Sequence, residues 1–257
     1  MTIQSTLITS ALFALLSAII YAYVGWRLSK RIVSSSEGQI AWNLLIVWWY
    51  GLAVTTLIGG LLHLFGALGL TNLPLFVTAT YINIQVSCLA LFGLFYYLVF
   101  LFTGNSRWLT PLAVLYTIYY ILLIYYLISG NPANVALEPW GTTLTYRTPP
   151  TGPFLVLAVL LFASQIIGGL AYFTVYFRVT DATQKYRILL VSWSIIIWFL
   201  SPFVGIAAGL EREDWSQFAM GINGLAAALS ILTAYIPTRW VKQRFGILSL
   251  ADENLEK

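Results

Sequence analysis

Cysteine is almost absent from this chain: one residue, Cys88, in 257. A single thiol excludes an intrachain disulfide framework and a cysteine-based zinc site. Its place mid-stretch among apolar residues reads as small core filler. Histidine is as scarce, with His63 alone, and the only methionines are Met1 and Met220. A bis-histidine haem cannot be assembled from that set, and the methionines do not rescue it. Charge is thin as well, at 9% of residues, against roughly 25% in soluble domains. No Asp, Glu, Lys or Arg lies deep in any apolar stretch. A proton relay needs carboxylates or several histidines, and an intramembrane metal hydrolase needs a His/Asp/Glu cluster. Acid–base and nucleophilic catalysis need activated groups, while the carboxylates here sit in loops and tail. The expectation is therefore no enzyme, no catalytic residues and no metal site. The loop cluster Glu211, Glu213 and Asp214 reads as solvated, with surface cation binding the weaker alternative.

What is present is apolar. Hydrophobic residues make up 60% of the chain, with mean hydropathy +0.84. A helix needs about 20 mainly apolar residues to cross the hydrocarbon core. Seven stretches qualify, at 6–26, 40–68, 75–102, 109–128, 154–177, 188–210 and 215–236. The fold class expected is all-α, a polytopic seven-helix membrane bundle occupying 1–245. The opening MTIQSTLITSALFALLSAIIYAYVGW lacks a positive n-region and a small-residue cleavage site, so it reads as the first span rather than a signal peptide. The long connection 129–153, rich in Pro, Gly, Asn and Thr, reads as an outer loop with a short hairpin around LTYRT. The tail 246–257 is short and partly acidic, with no catalytic or signalling domain expected on it. No internal repeat is evident.

Charges set a direction. Arg27, Lys30 and Arg31, then Arg107, then Arg178, Lys185 and Arg187, then Arg239, Lys242 and Arg244 follow the odd-numbered spans. In an alternating bundle these clusters share one side, and Lys/Arg-rich loops face the cytoplasm. The expectation is N-terminus outside and C-terminus cytoplasmic, in an inner or plasma membrane. Net charge +4 then reflects lipid headgroups rather than nucleic acid. Trp26, Trp42, Trp108, Trp140, Trp215 and Trp240 fall near span ends, as an interfacial belt would.

Neutral polar residues punctuate the spans: Asn83, Gln85 and Ser87; Ser164 and Gln165; Ser192, Ser194 and Ser201; Asn223 and Ser230. Such groups in hydrocarbon usually face the bundle interior, as interhelical ties or as the polar end of a pocket. Asn83 and Ser87, four apart, share a helix face. His63 reads as bonded to a helix carbonyl or interfacial water, with a ligand contact as the alternative. Gly59-Gly60, Gly168-Gly169, Gly221 and Gly224 suit close helix packing. Aromatics reach 16%; most fill the bundle or face lipid, and some are candidates to line a pocket for an apolar or polyene ligand.

Three stretches resemble the microbial rhodopsin family. WFLSP, Trp198 to Pro202, is similar to that family's Trp-x-x-Tyr-Pro signature, with Ser201 where tyrosine is usual. MGINGLAA, Met220 to Ala227, overlies the pattern of an acid followed four residues later by the retinal-bearing lysine; Asn223 stands at the acid and Ala227 at the lysine. TYINIQVS, Thr80 to Ser87, overlies the other counterion stretch, with Asn83 at the acid, Thr80 at the nearby arginine and Ser87 at a threonine. The long loop 129–153 departs from the family. The resemblance implies a rhodopsin-like bundle without covalent retinal, since Ala227 stands where a lysine would form a Schiff base and no buried cation needs a counterion. It argues against light-driven pumping. The ligand residues it suggests are Asn83, Ser87, Trp198, Ser201, Asn223 and Ala227.

The leading expectation is a receptor- or sensor-type protein that binds a non-covalent lipophilic ligand or pigment and signals through a separate membrane partner. Next come an accessory subunit of a larger membrane complex or homo-oligomer, and then a transporter of a neutral or lipophilic solute.

Overall fold

The computed structural model describes residues 2–31, 35–148, 152–208 and 214–248. Seven long helices carry the chain: α1 (Ile3–Ser29), α2 (Ser36–Ala67), α3 (Leu73–Thr103), α4 (Leu109–Ser129), α5 (Gly152–Thr174), α6 (Ala182–Ala208) and α7 (Asp214–Tyr235); a short α8 (Arg239–Phe245) follows. All seven are long and apolar enough to cross a membrane, so the chain is a multi-pass membrane bundle. Breakers and caps set the ends. Thr2, Ser35 and Asn72 cap the first three helices by accepting from the N–H groups of Ser5, Gly38 and Leu75, which satisfies donors the helix leaves open. Gly104 ends α3 at φ 62°, a left-handed conformation that a side chain disfavours.

Successive helices pack side by side, and α7 returns against α1, so the seven close into a ring. Small residues allow the tightest approach. A Cβ on Gly93 would stand 2.4 Å from the Leu44 carbonyl oxygen, and one on Gly51 2.4 Å from the Ala90 Cβ. Both lie on the α2–α3 seam, outside the glycine pairs that the sequence brings to notice. Of those pairs, Gly60 abuts Ala11 of α1 and Gly169 abuts Ile195 of α6, while Gly59 meets nothing within 4 Å. Side chains add ties between helices. Tyr21 donates to the Gly224 carbonyl at 3.1 Å, Ser194 to the Ala227 carbonyl at 2.9 Å, and Gln165 to the Tyr116 hydroxyl at 2.9 Å. At the end of the bundle bearing the basic clusters, buried Arg187 reaches the Leu248 carbonyl at 3.0 Å, and Thr183 accepts from the Leu248 N–H at 3.2 Å. The chain after α8 is thereby strapped under the bundle.

The connection 129–153 is more ordered than a loop. It forms an antiparallel hairpin, β1 (Pro132–Glu138) and β2 (Gly141–Tyr146), with Glu138 opposite Gly141 across a two-residue turn. Pro132, Pro139 and Gly141 exclude a helix here, and the threonine-rich run GTTLTY favours extended backbone. The base of the hairpin is closed by the Arg147 N–H to Asn131 and the Thr148 N–H to Gly130, each 3.1 Å. A hairpin is present in this connection as expected, but it turns at Pro139–Trp140 rather than around LTYRT, which spans the end of β2, and it lies against α1, α2 and α3. The cluster Glu211, Glu213 and Asp214 falls outside the residues whose side chains are described.

Candidate functional site

Inside the ring, beneath the hairpin, is a cavity of about 800 Å³. Its depth follows α2: His63 at the hairpin end and Trp48 at the far end stand about 22 Å apart by helix rise. Among the described lining residues there is no Asp, Glu, Lys or Arg. The far end is aromatic. Trp48 stacks on Phe199 at 5.8 Å, and Phe162 meets Phe199 at 5.9 Å. Trp198 leans on Tyr21 at 6.3 Å and presses on α7, where a Cβ on Gly224 would stand 2.8 Å from its ring. Glycine at 224 therefore makes room for that indole. Pro202 lies one turn beyond Trp198 and also lines the cavity; lacking an N–H, it cannot bond the Trp198 carbonyl.

The hairpin forms the lid. Trp140, in its turn, lines the cavity and packs on Phe218 of α7 at 4.5 Å. Glu138 accepts from Thr143 at 3.1 Å and from the Gln217 amide. His63 accepts at Nδ1 from the Thr142 N–H at 3.2 Å. This partner is hairpin backbone rather than the helix carbonyl or water suggested by sequence. Leu137 and Thr142 sit so close over Gly66 that a Cβ there would lie 2.9 and 2.5 Å from them. Burial and the neighbouring Tyr81 phenol push the hydroxyl of lid residue Tyr146 up to about 12.

Three lining residues carry buried polar atoms with no partner among the described residues: Trp48 Nε1, Asn83 Oδ1 and Gln217 Oε1. A buried polar atom left unpaired costs about 1–3 kcal/mol. These three, of seven such atoms among the described residues, belong to residues that line this uncharged cavity, which makes it the candidate site.

Of the residues suggested by sequence, Asn83, Ser87 and Trp198 line the cavity. Asn83 and Ser87 share a face, with the Ser87 hydroxyl donating to the Asn83 carbonyl at 2.7 Å. Asn223 is partly buried on α7 and is not among the lining residues, and Ala227 is fully buried in the α6–α7 seam. The side chain of Ser201 lies outside those described. Sequence reasoning missed Gln217 and the hairpin contribution, and it held Trp48 only among the many aromatics from which a pocket lining could be drawn. Gln217 sits in a polar helix start and carries no signal of its own; only the lid makes it part of the site.

A second, smaller groove of about 350 Å³ lies between α3 and α4, lined by Cys88, Phe92, Tyr116 and Tyr120 among others. Gln85 at its rim is exposed and donates to the Tyr120 hydroxyl at 2.6 Å. This amide faces outward rather than into the bundle.

The chain matches no protein-family model, and neither the curated proteins nor the solved structures give a match.

Proposed function

We propose that this chain is a non-catalytic binding protein, a receptor- or sensor-type bundle of rhodopsin-like plan that holds a lipophilic ligand non-covalently. The observation that carries this reading is the uncharged cavity of about 800 Å³ with unpaired Trp48, Asn83 and Gln217 atoms in its wall residues. Binding pockets characteristically combine apolar and aromatic walls with few convergent polar groups. No lysine is among the described lining residues, which supports retention without a Schiff base. The N-terminus and hairpin lie outside and the basic ends face the cytoplasm of an inner or plasma membrane, on the charge distribution. A signal then passes to a separate partner at the basic end, where Arg187 holds the strap after α8.

The test is solvent extraction and mass spectrometry of protein purified from its own membrane. A neutral lipophile at one per protein, lost in Gly59→Phe, is expected, because Gly59 faces open cavity. Recovery of bulk bilayer lipids alone, identical in the variant, defeats the reading. For direction, cysteines introduced at Thr143 and Lys242 should react from outside and inside respectively; the reverse pattern refutes it.

A second reading is favoured by one observation, the exposed Gln85–Tyr120 pair amid the apolar faces of α3 and α4. An amide turned toward lipid is costly, and a neighbouring subunit would cover it. Under this reading the protein is an accessory subunit or homo-oligomer. Sizing in mild detergent tests it: a larger particle that Gln85→Leu dissociates supports it, and a lone protomer refutes it.

A further inference from the structure

At the hairpin end of the cavity, two polar groups have roles fixed by their other partners. The Thr142 N–H donates to His63 Nδ1, so that nitrogen presents its lone pair and the ring proton sits on Nε2. The Thr142 hydroxyl lies 3.1 Å from the same Nδ1. His63 Nε2–H is left as a donor with no protein partner among the described residues. Gln217 turns its NH₂ to Glu138. A carboxylate only accepts, so the amide cannot be reversed, and Oε1 is left as a buried acceptor without a partner among the described residues.

Gly141 opens the space between these groups. A Cβ there would stand 3.6 Å from Gln217 Oε1 and 3.8 Å from His63 Cε1. The backbone is not in the left-handed region at this residue, so the absence of a side chain serves the space rather than the turn. The Gln217 acceptor and the Cε1 edge of the His63 ring, one bond from Nε2, thus border the space at Gly141, and all three residues line the cavity. A single group that satisfies both must accept from His63 and donate to Gln217. A hydroxyl does so. A carbonyl accepts from His63 but leaves Gln217 unpaired. A carboxylate meets no cation in the lining and stands near Glu138. An ammonium finds that carboxylate already bonded by Thr143 and Gln217.

We infer that the cavity takes an elongated, neutral lipophile with a terminal hydroxyl, held between His63 Nε2–H and Gln217 Oε1 beneath Gly141, its apolar body running toward Trp48 and Phe199. The inference rests on the ligand-binding reading above and adds the chemical class.

The test uses the full chain in lipid nanodiscs with two probes of nearly equal shape, retinol and retinal, an alcohol and an aldehyde. Binding is read as saturable quenching of tryptophan fluorescence, since Trp48, Trp140 and Trp198 line the cavity. Retinol should bind about tenfold more tightly than retinal or better, because the aldehyde strands an acceptor. Gly141→Ala should abolish that preference by weakening retinol about tenfold, leaving retinal and the melting temperature near wild type; its Cβ sits at ordinary contact distances. Equal affinity of the two probes for the wild type, or a preference that survives Gly141→Ala, overturns the hydroxyl site while leaving the ligand reading in place. Failure of both probes to bind saturably overturns the inference and the cavity reading together. Loss of both probes in Gly141→Ala with an unchanged melting temperature also counts against the hydroxyl site.

Discussion

Replacing Gly93 with alanine places a methyl group against backbone, and the consequence can be worked through. The new Cβ would lie 2.4 Å from the Leu44 carbonyl oxygen and 3.3 Å from its carbon. Ordinary contact needs about 1 Å more, given the 3.5–4.0 Å optimum between non-bonded atoms. The obstacle is the main chain of α2, which cannot swing aside as a side-chain tip can. Overpacking of this kind costs about 1–3 kcal/mol, and the upper half of that range applies where backbone must move. Alanine offsets about 0.5–1 kcal/mol through its helix preference over glycine. The net expectation is a loss of about 1–2 kcal/mol. Gly59→Ala is the control, in the same class of helix interior but with nothing within 4 Å; it should be stabilising by about 0.5–1 kcal/mol. The two variants therefore differ in sign. Reversible unfolding in mixed micelles, followed by far-ultraviolet circular dichroism, reads both. If Gly93→Ala matches the wild type, or Gly59→Ala falls as far as Gly93→Ala, close α2–α3 contact does not govern stability here.

Tyr116→Phe strands the amide of Gln165, which is fully buried and donates to that hydroxyl; a loss of about 1–3 kcal/mol is expected. Adding Gln165→Leu should recover part of it in a double-mutant cycle, and strict additivity would refute the pairing. Arg187→Met keeps the reach of the side chain but removes the donors to Ala234 and Leu248. Amide exchange in the peptide spanning Leu248 should accelerate several-fold, and unchanged exchange would show that the strap is held elsewhere. Tyr146 has its hydroxyl raised from 10.0 to about 12, so it keeps its proton in the folded lid where the unfolded chain loses it. Its contribution is intact below pH 10 and lost as pH rises toward 12. The stability difference between wild type and Tyr146→Phe should be flat below pH 10 and should shift toward the variant above it; a flat difference throughout refutes the buried setting.

Much of the architecture is legible in the residues because lipid imposes a single strong rule. Every backbone polar group must be satisfied within the segment, so each long apolar run becomes a helix, and Thr71–Pro74 or Asn105–Trp108 marks where one stops. The site was only partly legible. Asn83, Ser87 and Trp198 stand out as polar or signature residues in spans and do line the cavity. Asn223 and Ala227 stand out equally and do not, because helical phase alone does not say which face meets the interior when every face is apolar. Gln85 shows the same ambiguity from the other side: an amide expected inside pairs with Tyr120 on the outer surface.

The sequence by itself determined the number of spans and the thin charge, since these depend only on composition and run length. Tertiary structure decided what those spans enclose. The Gly93–Leu44 and Gly51–Ala90 contacts close one seam, while Gly59 opens space a short way along the same helix; identical residues do opposite things according to what faces them. His63, Thr142 and Gln217 are far apart in the chain and are joined only because the hairpin folds over the ring. Their chemistry depends on which atoms are already bonded and which are left open, and such pairings arise only when the helices and hairpin pack.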